Sequence, residues 1–186
     1  GTMVRLLSSP AAARVVAALR SRGETIACHE TSSGGLLSAS ILATAGASRV
    51  YIGSAVVYNS RRAAPLLLMD EEKRQTMEAE KDYSTAASYL QSKKDSTLAA
   101  AVALRESLGV DWAIAEGGAA GPTFTPNDLT EGFSVVTVLG PDGEPRVNVR
   151  YTGHNEREEN MWVFRDEGLE FLLAQVASQE EGDSGR

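Results

Sequence analysis

The stretch TIACHETSSGG, residues 25–35, decides how this chain folds. Its first five residues are β-prone, the polar and glycine residues after them end the strand, and Leu36 to Ala45 is a run of helix-forming residues. The stretch therefore predicts a strand, a polar glycine turn and a helix. The unpaired backbone N–H groups at the start of that helix favour the binding of an anion. Capping of the helix by Ser32 or Ser33 is the alternative interpretation of the same residues.

The flanking sequence adds strands and helices on either side of this turn. Ser9 at an N-cap position, Pro10 at the first helical position and a terminating Gly23 predict a helix from Ser9 to Arg22. Enrichment in β-branched and aromatic residues predicts a second strand from Val50 to Tyr58. Further elements are predicted at Trp112–Ala115 (strand), Phe133–Leu139 and Val147–Tyr151 (a hairpin) and Glu156–Val176 (helix).

The segment between the second and third strands is predicted to be helical. Two helices fit residues 63–96 with a break at Asp82-Tyr83-Ser84, and Ser96 is a candidate N-cap for a helix that runs to Leu108. The order of elements, without an internal repeat or linker, predicts one α/β domain with a mixed sheet. We expect this domain to span residues 3–178 and a flexible acidic tail to span 179–186, with Gly1-Thr2 set aside as an expression scar.

Composition argues against several classes of function. The formal net charge of −7 disfavours a nucleic-acid-binding surface, because phosphate backbones are held mainly by Lys and Arg. With one cysteine, Cys28, and two histidines, neither a disulfide framework nor a zinc site of Cys and His is available. No apolar run approaches the roughly 20 residues of a membrane span, and no secretory leader is recognised. We therefore expect a soluble cytoplasmic protein without a metal and without a membrane or nucleic-acid partner.

A second glycine-rich segment, Glu116 to Pro122, follows the third strand. Glycines at this density so soon after a strand indicate a loop that turns sharply or approaches another group closely. Cys28 and His29 are neighbours on a strand, so their side chains point to opposite faces and cannot form a catalytic pair with each other. Cys28 is therefore interpreted as a core residue, and His29 receives no catalytic role.

The order of these motifs resembles the C-terminal domain of the CinA family. Residues 30–35, Glu-Thr-Ser-Ser-Gly-Gly, are similar to the family's Glu-Ser-x-Thr/Ser-Gly-Gly, and residues 118–122, Gly-Ala-Ala-Gly-Pro, are similar to its Gly-Ile-Ala-Gly-Pro. The helix end at residues 45–48, the strand end at Tyr58 and the later Gly132 also match family positions in the same order. The resemblance extends over residues 9–176.

The resemblance implies a three-layer α/β/α fold with a mixed five-stranded sheet, in agreement with the number of predicted strands. Active members of the family deamidate nicotinamide mononucleotide as Ser/Lys amidohydrolases, and no cofactor is expected. The attacking Ser corresponds to Thr31, which keeps a hydroxyl, and the family's Tyr corresponds to Tyr58, so these two are the candidate catalytic residues. The candidate ligand-binding residues are Glu30, Ser32, Ser33, Gly34, Gly35, Gly117, Gly118, Gly121 and Asn155.

Three polar positions of the family are changed in this chain. Ala63 replaces the Lys that acts as base, Gly117 replaces a Thr before the glycine loop, and Asn155 replaces an Arg before the last helix. A neutral hydroxyl needs an adjacent base in order to attack, and loss of general-base help typically costs ~10²–10⁴ in rate. Arg61 and Arg62 cannot replace the Lys, because a guanidinium group stays protonated.

Three hypotheses about function follow from this comparison. The first is a domain that keeps a pocket for a small nucleotide ligand but has lost or weakened deamidase activity. The second is an active amidohydrolase with Thr31 as nucleophile and another base, such as Lys73. The third is a non-catalytic interaction module, a homodimer with a vestigial pocket. A bound ligand is expected where Ser33-Gly34-Gly35 faces Tyr58 and the Gly117–Gly121 loop.

Overall fold

Five strands form one mixed sheet: β1 (Ile26–Glu30), β2 (Tyr51–Val56), β3 (Trp112–Ala119), β4 (Phe133–Leu139) and β5 (Pro145–Tyr151). Their order is β2-β1-β3-β4-β5 in a computed structural model that describes the backbone of residues 5–183 and the side chains of residues 5–179. β1 pairs in parallel with both β2 and β3, whereas β4 is antiparallel to its neighbours β3 and β5. The predicted mixed five-stranded sheet is confirmed.

The part of the chain that the structure describes contains five α-helices: α1 (Pro10–Arg22), α2 (Leu36–Leu42), α3 (Glu71–Glu80), α4 (Ala86–Leu108) and α5 (Arg157–Asp183). α1, α2 and α5 pack against one another on one face, and α4 packs on the other face over β1, β3 and β4. This arrangement is the three-layer α/β/α architecture that the resemblance implied. α3 follows a short 3-10 turn, Ala64–Leu67, and contributes no buried residue to the core.

The ends of several helices follow directly from the sequence. Ser9 accepts a hydrogen bond from the backbone N–H of Ala12 at 3.4 Å, and Pro10 is the first residue of α1, as predicted. Gly23 ends α1 and Gly109 ends α4 in the left-handed conformation, where glycine has no steric penalty. The continuation of α5 to Asp183 overlaps the segment that the sequence assigned to a flexible tail, and residues 184–186 lie outside the described residues.

The predicted N-cap at Ser96 is wrong. α4 begins eleven residues earlier, where Thr85 and Ser88 form a reciprocal capping box. Ser96 lies inside the helix and donates its hydroxyl to the carbonyl oxygen of Ser92 at 2.6 Å. A serine can thus lie inside a helix when its hydroxyl bonds to the carbonyl of the preceding turn. The sequence alone does not distinguish such a serine from an N-cap.

The predicted end of the third strand at Ala115 is also too early. β3 continues through the glycines to Ala119, because β4 pairs with it along its whole length as far as Phe133. The backbone of residues 116–119 is therefore part of the buried sheet and not a loop. As a result, the Glu116 side chain is placed at the carboxyl end of the parallel strands.

The core layer beneath α4 is built mainly from small residues. Ala27, Ala113 and Ala115 of the sheet are fully buried against Ala100 and Ala101 of α4. Because these side chains are small, the helix lies close against the sheet. The first half of α4 thereby reaches the carboxyl ends of β1 and β3, where Thr97 contacts Gly117.

Candidate active site at the ends of the parallel strands

A cavity of about 600 Å³ lies at the carboxyl ends of β1, β2 and β3. His29 and Thr31 line it from β1, Tyr58 lines it from the end of β2, and the Gly118–Gly121 segment lines it from β3. Open α/β sheets bind ligands at this edge, because the loops that leave parallel strands separate there. The cavity is closed on the outside by residues 59–62, by Met77 and Glu78 of α3, and by Lys81.

Glu30, the last residue of β1, caps the N-terminus of α2 with its side chain. Its carboxylate is fully buried and accepts hydrogen bonds from the backbone N–H groups of Gly35 and Leu37, each at 3.0 Å, and of Ser38 at 2.9 Å. The hydroxyl of Ser38 also donates to it. These are the orphan donors of a helix start, and the negative charge is stabilised by the helix dipole. They are therefore occupied by the protein itself.

Glu116 on β3 is a second fully buried carboxylate that the sequence analysis did not single out. It accepts the backbone N–H of Thr31 at 3.2 Å and that of Ser33 at 2.9 Å. The Ser134 hydroxyl donates to it at 3.0 Å, and the Ser32 hydroxyl donates as well. Glu116 thus fixes the backbone of the 31–33 turn from below. Its place directly before the glycine segment was the available signal.

The hydroxyls of Thr31, Ser32 and Ser33 differ in whether they bond to the Glu30 and Glu116 carboxylates. The Ser33 Oγ lies 2.7 Å from a Glu30 oxygen and 2.9 Å from a Glu116 oxygen, and its single proton can serve one of them at a time. The Ser32 hydroxyl donates to Glu116. The hydroxyl of Thr31, by contrast, forms no hydrogen bond with any residue whose side chain is described, and Thr31 lines the cavity. Thr31 is the hydroxyl in this turn that is available to a ligand.

Most glycines of the Gly34-Gly35 and Gly117–Gly121 motifs are needed for the fold and not for contact with a ligand. Gly34 and Gly35, at φ +66° and +96°, form the turn into α2 and lie outside the cavity lining. A Cβ on Gly118 would lie 2.0 Å from the Phe133 carbonyl oxygen of β4, so this position needs glycine for strand pairing. Among the predicted ligand-binding residues, the cavity lining includes Ser32, Gly118 and Gly121 and excludes Glu30, Ser33, Gly34, Gly35, Gly117 and Asn155. Their ligand-binding roles stay predictions.

Arg157 occupies the end of the cavity for which the sequence analysis named Asn155. Asn155 is exposed and contributes its backbone beside Gly121. Arg157, at the first position of α5, lines the cavity and donates to the Gly121 carbonyl oxygen at 2.7 Å and to the Tyr58 hydroxyl at 3.1 Å. Arg157 lies two residues after Asn155, so a position-by-position comparison with the family motif did not single it out.

The other changed family position, Ala63, does not line the cavity, and neither does Lys73, which is exposed on α3. Lys93 of α4 does line the cavity, and its Cδ and the Thr31 Oγ1 would each lie 3.8 Å from a Cβ built on Gly117. Its Nζ lies 5.3 Å from the centre of the Tyr89 ring and 6.0 Å from that of Tyr83. Burial lowers the pKa of Lys93 below its usual value of 10.5, and the charge of Glu116 opposes this effect only in part.

His29 lies beneath the same cavity and is 7% exposed. Burial lowers the pKa of His29 to about 4. The charge of Glu116 raises this pKa in part, and the charge of Lys93 lowers it by a smaller amount. The imidazole is therefore neutral at pH 7. On the sheet it stands between Ala55 and Ala115, whose small side chains leave room for the ring.

Comparison with known proteins identifies the family to which this fold and site belong. A family model described as the CinA C-terminal domain matches residues 8–176. The chain belongs to the CinA C-terminal domain family. Among curated proteins, this CinA domain is 33% identical over 124 residues to a CinA-like protein of Prochlorococcus marinus strain AS9601. It is 31% identical over 149 residues to a CinA-like protein of Synechococcus sp. strain RCC307.

These alignments cover 67% and 80% of this chain but only 26% and 32% of the two relatives, so the CinA domain spans about a third or less of the curated proteins it matches. Solved structures share the fold. The competence/damage inducible protein CihA from Agrobacterium tumefaciens superposes with a TM-score of 0.72 at 21% identity, covering 94% of this chain and 98% of that one. A competence or damage-inducible protein from Enterobacter asburiae gives 0.71 at 18% identity, with 89% and 96% covered.

Two further features of the CinA domain concern metals and membranes. Within the residues whose positions are described, no group of three or more His, Cys, Asp or Glu side chains is arranged to hold a metal ion. None of the helices between residues 5 and 183 is both long and apolar enough to cross a bilayer.

Proposed function

We propose that this CinA domain hydrolyses the carboxamide of a small anionic nucleotide of the nicotinamide mononucleotide type, with Thr31 as the nucleophile. The observation that carries the proposal is the arrangement of residues 31–33, which we call the reactive turn. The hydroxyls of Ser32 and Ser33 donate to buried carboxylates, whereas the hydroxyl of Thr31 faces the cavity without a hydrogen-bond partner in the described chain. A hydroxyl placed in this way is a candidate for covalent catalysis once a base stands beside it.

The charge of the cavity supports an anionic substrate. The chain carries a formal net charge of −7, yet the basic side chains in the lining outnumber the single acidic one, Glu78. The basic lining residues are Arg61, Arg62, Lys81, Lys93 and Arg157. A phosphate group would be held by the three arginines and Lys81, because guanidinium and ammonium groups form charge-assisted hydrogen bonds with its oxygens.

The aromatic wall and the size of the cavity support a nucleotide. The Tyr83 and Tyr89 rings meet edge to face with their centres 4.6 Å apart, and both line the cavity. Rings of this kind offer stacking surface to a heteroaromatic base. About 600 Å³ lies within the range of cavities that hold small-molecule ligands.

The test is ammonia release from nicotinamide mononucleotide by the purified protein. Substituting Thr31→Ala should lower kcat by ~10³-fold or more, because the attacking oxygen is removed. Thr44→Ala is the matched control, since Thr44 lies outside the cavity and bonds its hydroxyl to the Ser40 carbonyl oxygen. Release that is equal in the wild-type protein and Thr31→Ala would contradict the assignment of the nucleophile.

A second candidate function is ligand binding without catalysis, and Ala63 in place of the family's lysine favours it. On this hypothesis, nicotinamide mononucleotide binds but releases no ammonia. Isothermal titration calorimetry alongside the ammonia assay separates the two functions. Heat of binding without turnover supports the binding domain, and turnover that requires Thr31 supports the hydrolase.

A further inference from the structure

Thr31, Lys93 and Thr97 border the space above Gly117, with the Thr97 Cγ2 3.4 Å from the position of a Cβ on that glycine. A Cβ built on Gly117 would lie 3.8 Å from the Thr31 Oγ1 and 3.8 Å from the Lys93 Cδ. The two atoms are therefore at most about twice that distance apart, and the Lys93 Nζ is two flexible bonds beyond Cδ. No side chain of residue 117 fills the space between strand and helix, so the amine can approach the hydroxyl.

The environment of Lys93 keeps its amine without an ionic partner. Within residues 5–179, no carboxylate forms an ion pair with Lys93, although Lys81, another amine of the cavity, is paired with Glu78. Burial lowers the pKa of Lys93, so its unprotonated form is more accessible near neutral pH than that of a solvated lysine. The titratable groups that face it are His29, Glu78, Lys81, Tyr83, Tyr89 and Glu116.

We propose that Lys93 is the general base for Thr31 and takes the role that the lysine absent at position 63 has elsewhere in the family. This inference rests on the proposed hydrolase function. It connects two sequence changes that are otherwise unrelated, since loss of the side chain at Gly117 opens the path between Lys93 and Thr31. The base therefore comes from α4, on the opposite side of the reactive turn from the segment after β2.

The other basic groups of the cavity are poorer candidates. Arg61, Arg62 and Arg157 are guanidinium groups that stay protonated. The Lys81 Nζ is held by Glu78 and lies 2.8 Å from the Ser60 hydroxyl. These two contacts occupy the Lys81 amine at the outer wall of the cavity.

The reaction balances with water as the only co-reactant. The neutral Lys93 amine takes the Thr31 proton while Oγ1 attacks the carboxamide carbon and a tetrahedral intermediate forms. The C–N bond then breaks, Lys93 returns the proton to the departing nitrogen, and ammonia leaves an ester on Thr31. Water attacks this ester with Lys93 again taking a proton, which returns to the Thr31 oxygen as the carboxylic acid is released.

The direct test compares Lys93→Met with Lys94→Met, its neighbour outside the cavity, in ammonia release from nicotinamide mononucleotide. Lys93→Met should lower kcat by ~10²–10⁴-fold with little change in KM, and Lys94→Met should behave as the wild-type protein. Lys93→Arg keeps the charge but should not restore the rate. Wild-type kcat in Lys93→Met, with Thr31→Ala inactive, would overturn the role of Lys93 and leave the hydrolase function standing.

Chemical rescue separates a base from a structural residue. Added methylamine should restore part of the kcat of Lys93→Ala, and the restored rate should follow the concentration of unprotonated amine as pH is raised. The wild-type rate should rise with pH through the pKa of Lys93, below 10.5. No rescue together with an unchanged pH profile would show that Lys93 only supports the fold.

A fluorophosphonate probe tests the pair independently of the substrate. Mass spectrometry should find the label on Thr31 in the wild-type protein, and the rate of labelling should fall in Lys93→Met but not in Lys94→Met. Equal labelling of the two variants, or no label on Thr31, overturns the proposal. Labelling that depends on Lys93 in a protein that is inactive towards nicotinamide mononucleotide supports the pair and rejects only that substrate.

Discussion

The two sides of the cavity are built in different ways. The inner wall, residues 29, 31, 32 and 118–121, is held from behind by the fully buried carboxylates of Glu30 and Glu116 and by the strand pairs. The outer wall, residues 59–81, includes α3, which has no buried residue, and is held largely by the Glu78–Lys81–Ser60 cluster. The reactive hydroxyl is thus fixed by the core, whereas most of the charges that would hold an anion stand on surface segments.

The largest difference between the walls should appear when one carboxylate is removed from each. Glu116→Ala leaves several buried donors unpaired and should lower the free energy of unfolding by about 3–5 kcal/mol. Glu78→Ala, on the outer wall, should cost less, about 1–2 kcal/mol, because its partly buried carboxylate is bonded only to Lys81 and Ser60. Chemical denaturation of both variants measures the contrast. Equal midpoints would mean that the hydrogen bonds of Glu116 contribute no more to stability than the Glu78–Lys81 pair does.

Acid should weaken the inner wall through His29. Its pKa is about 4 in the folded chain against 6.5 in the unfolded chain, so between these values only the unfolded chain binds the proton. Stability therefore falls as pH decreases from 6.5 to 4, by about 3 kcal/mol at about 1.4 kcal/mol per pH unit. His29→Asn should lose this part of the acid sensitivity, and His154→Asn should keep it. Denaturation midpoints between pH 7 and pH 4 would show the difference.

The smallest expected effect lies on the outer wall. Lys81→Met should leave the unfolding free energy within about 1 kcal/mol of wild type, since the partly buried carboxylate of Glu78 keeps its hydrogen bond from Ser60. If the outer wall binds the anion, KM for nicotinamide mononucleotide should rise several-fold while kcat changes little. Steady-state kinetics measures both constants. A large fall in kcat at constant KM would place Lys81 in the chemistry and make the outer wall part of the reactive centre.

The local features of the fold could be predicted from the sequence because they depend on neighbouring residues. Ser9 and Pro10 define the start of α1, and Gly109 defines the end of α4, through backbone chemistry within one turn. The two β-prone runs at residues 133–139 and 147–151, separated by the turn sequence of residues 140–143, specify a hairpin for the same reason. The order of motifs then placed these elements in a known family.

The candidate site was only partly predictable because its members are distant in sequence. Thr31 and Tyr58 were named from motifs, and both line the cavity, although their catalytic roles stay predictions. Lys93 and Arg157 enter from helices whose rotation depends on packing, and no local pattern distinguishes them from solvated residues. Glu116 was missed because burial of its carboxylate depends on donors from residues 31–33, which approach only in the folded chain.

The position of β1 in the sheet also has a consequence during synthesis of the chain. β1 is made early, but its second neighbour, β3, begins only at Trp112. Until the ribosome has translated that far, one edge of β1 has no partner from its own chain and presents unpaired N–H and C=O groups to other nascent chains. β1, which carries the reactive turn, is therefore the strand with the longest wait for a native neighbour in the sheet, and protection of that edge during translation should affect the yield of folded protein.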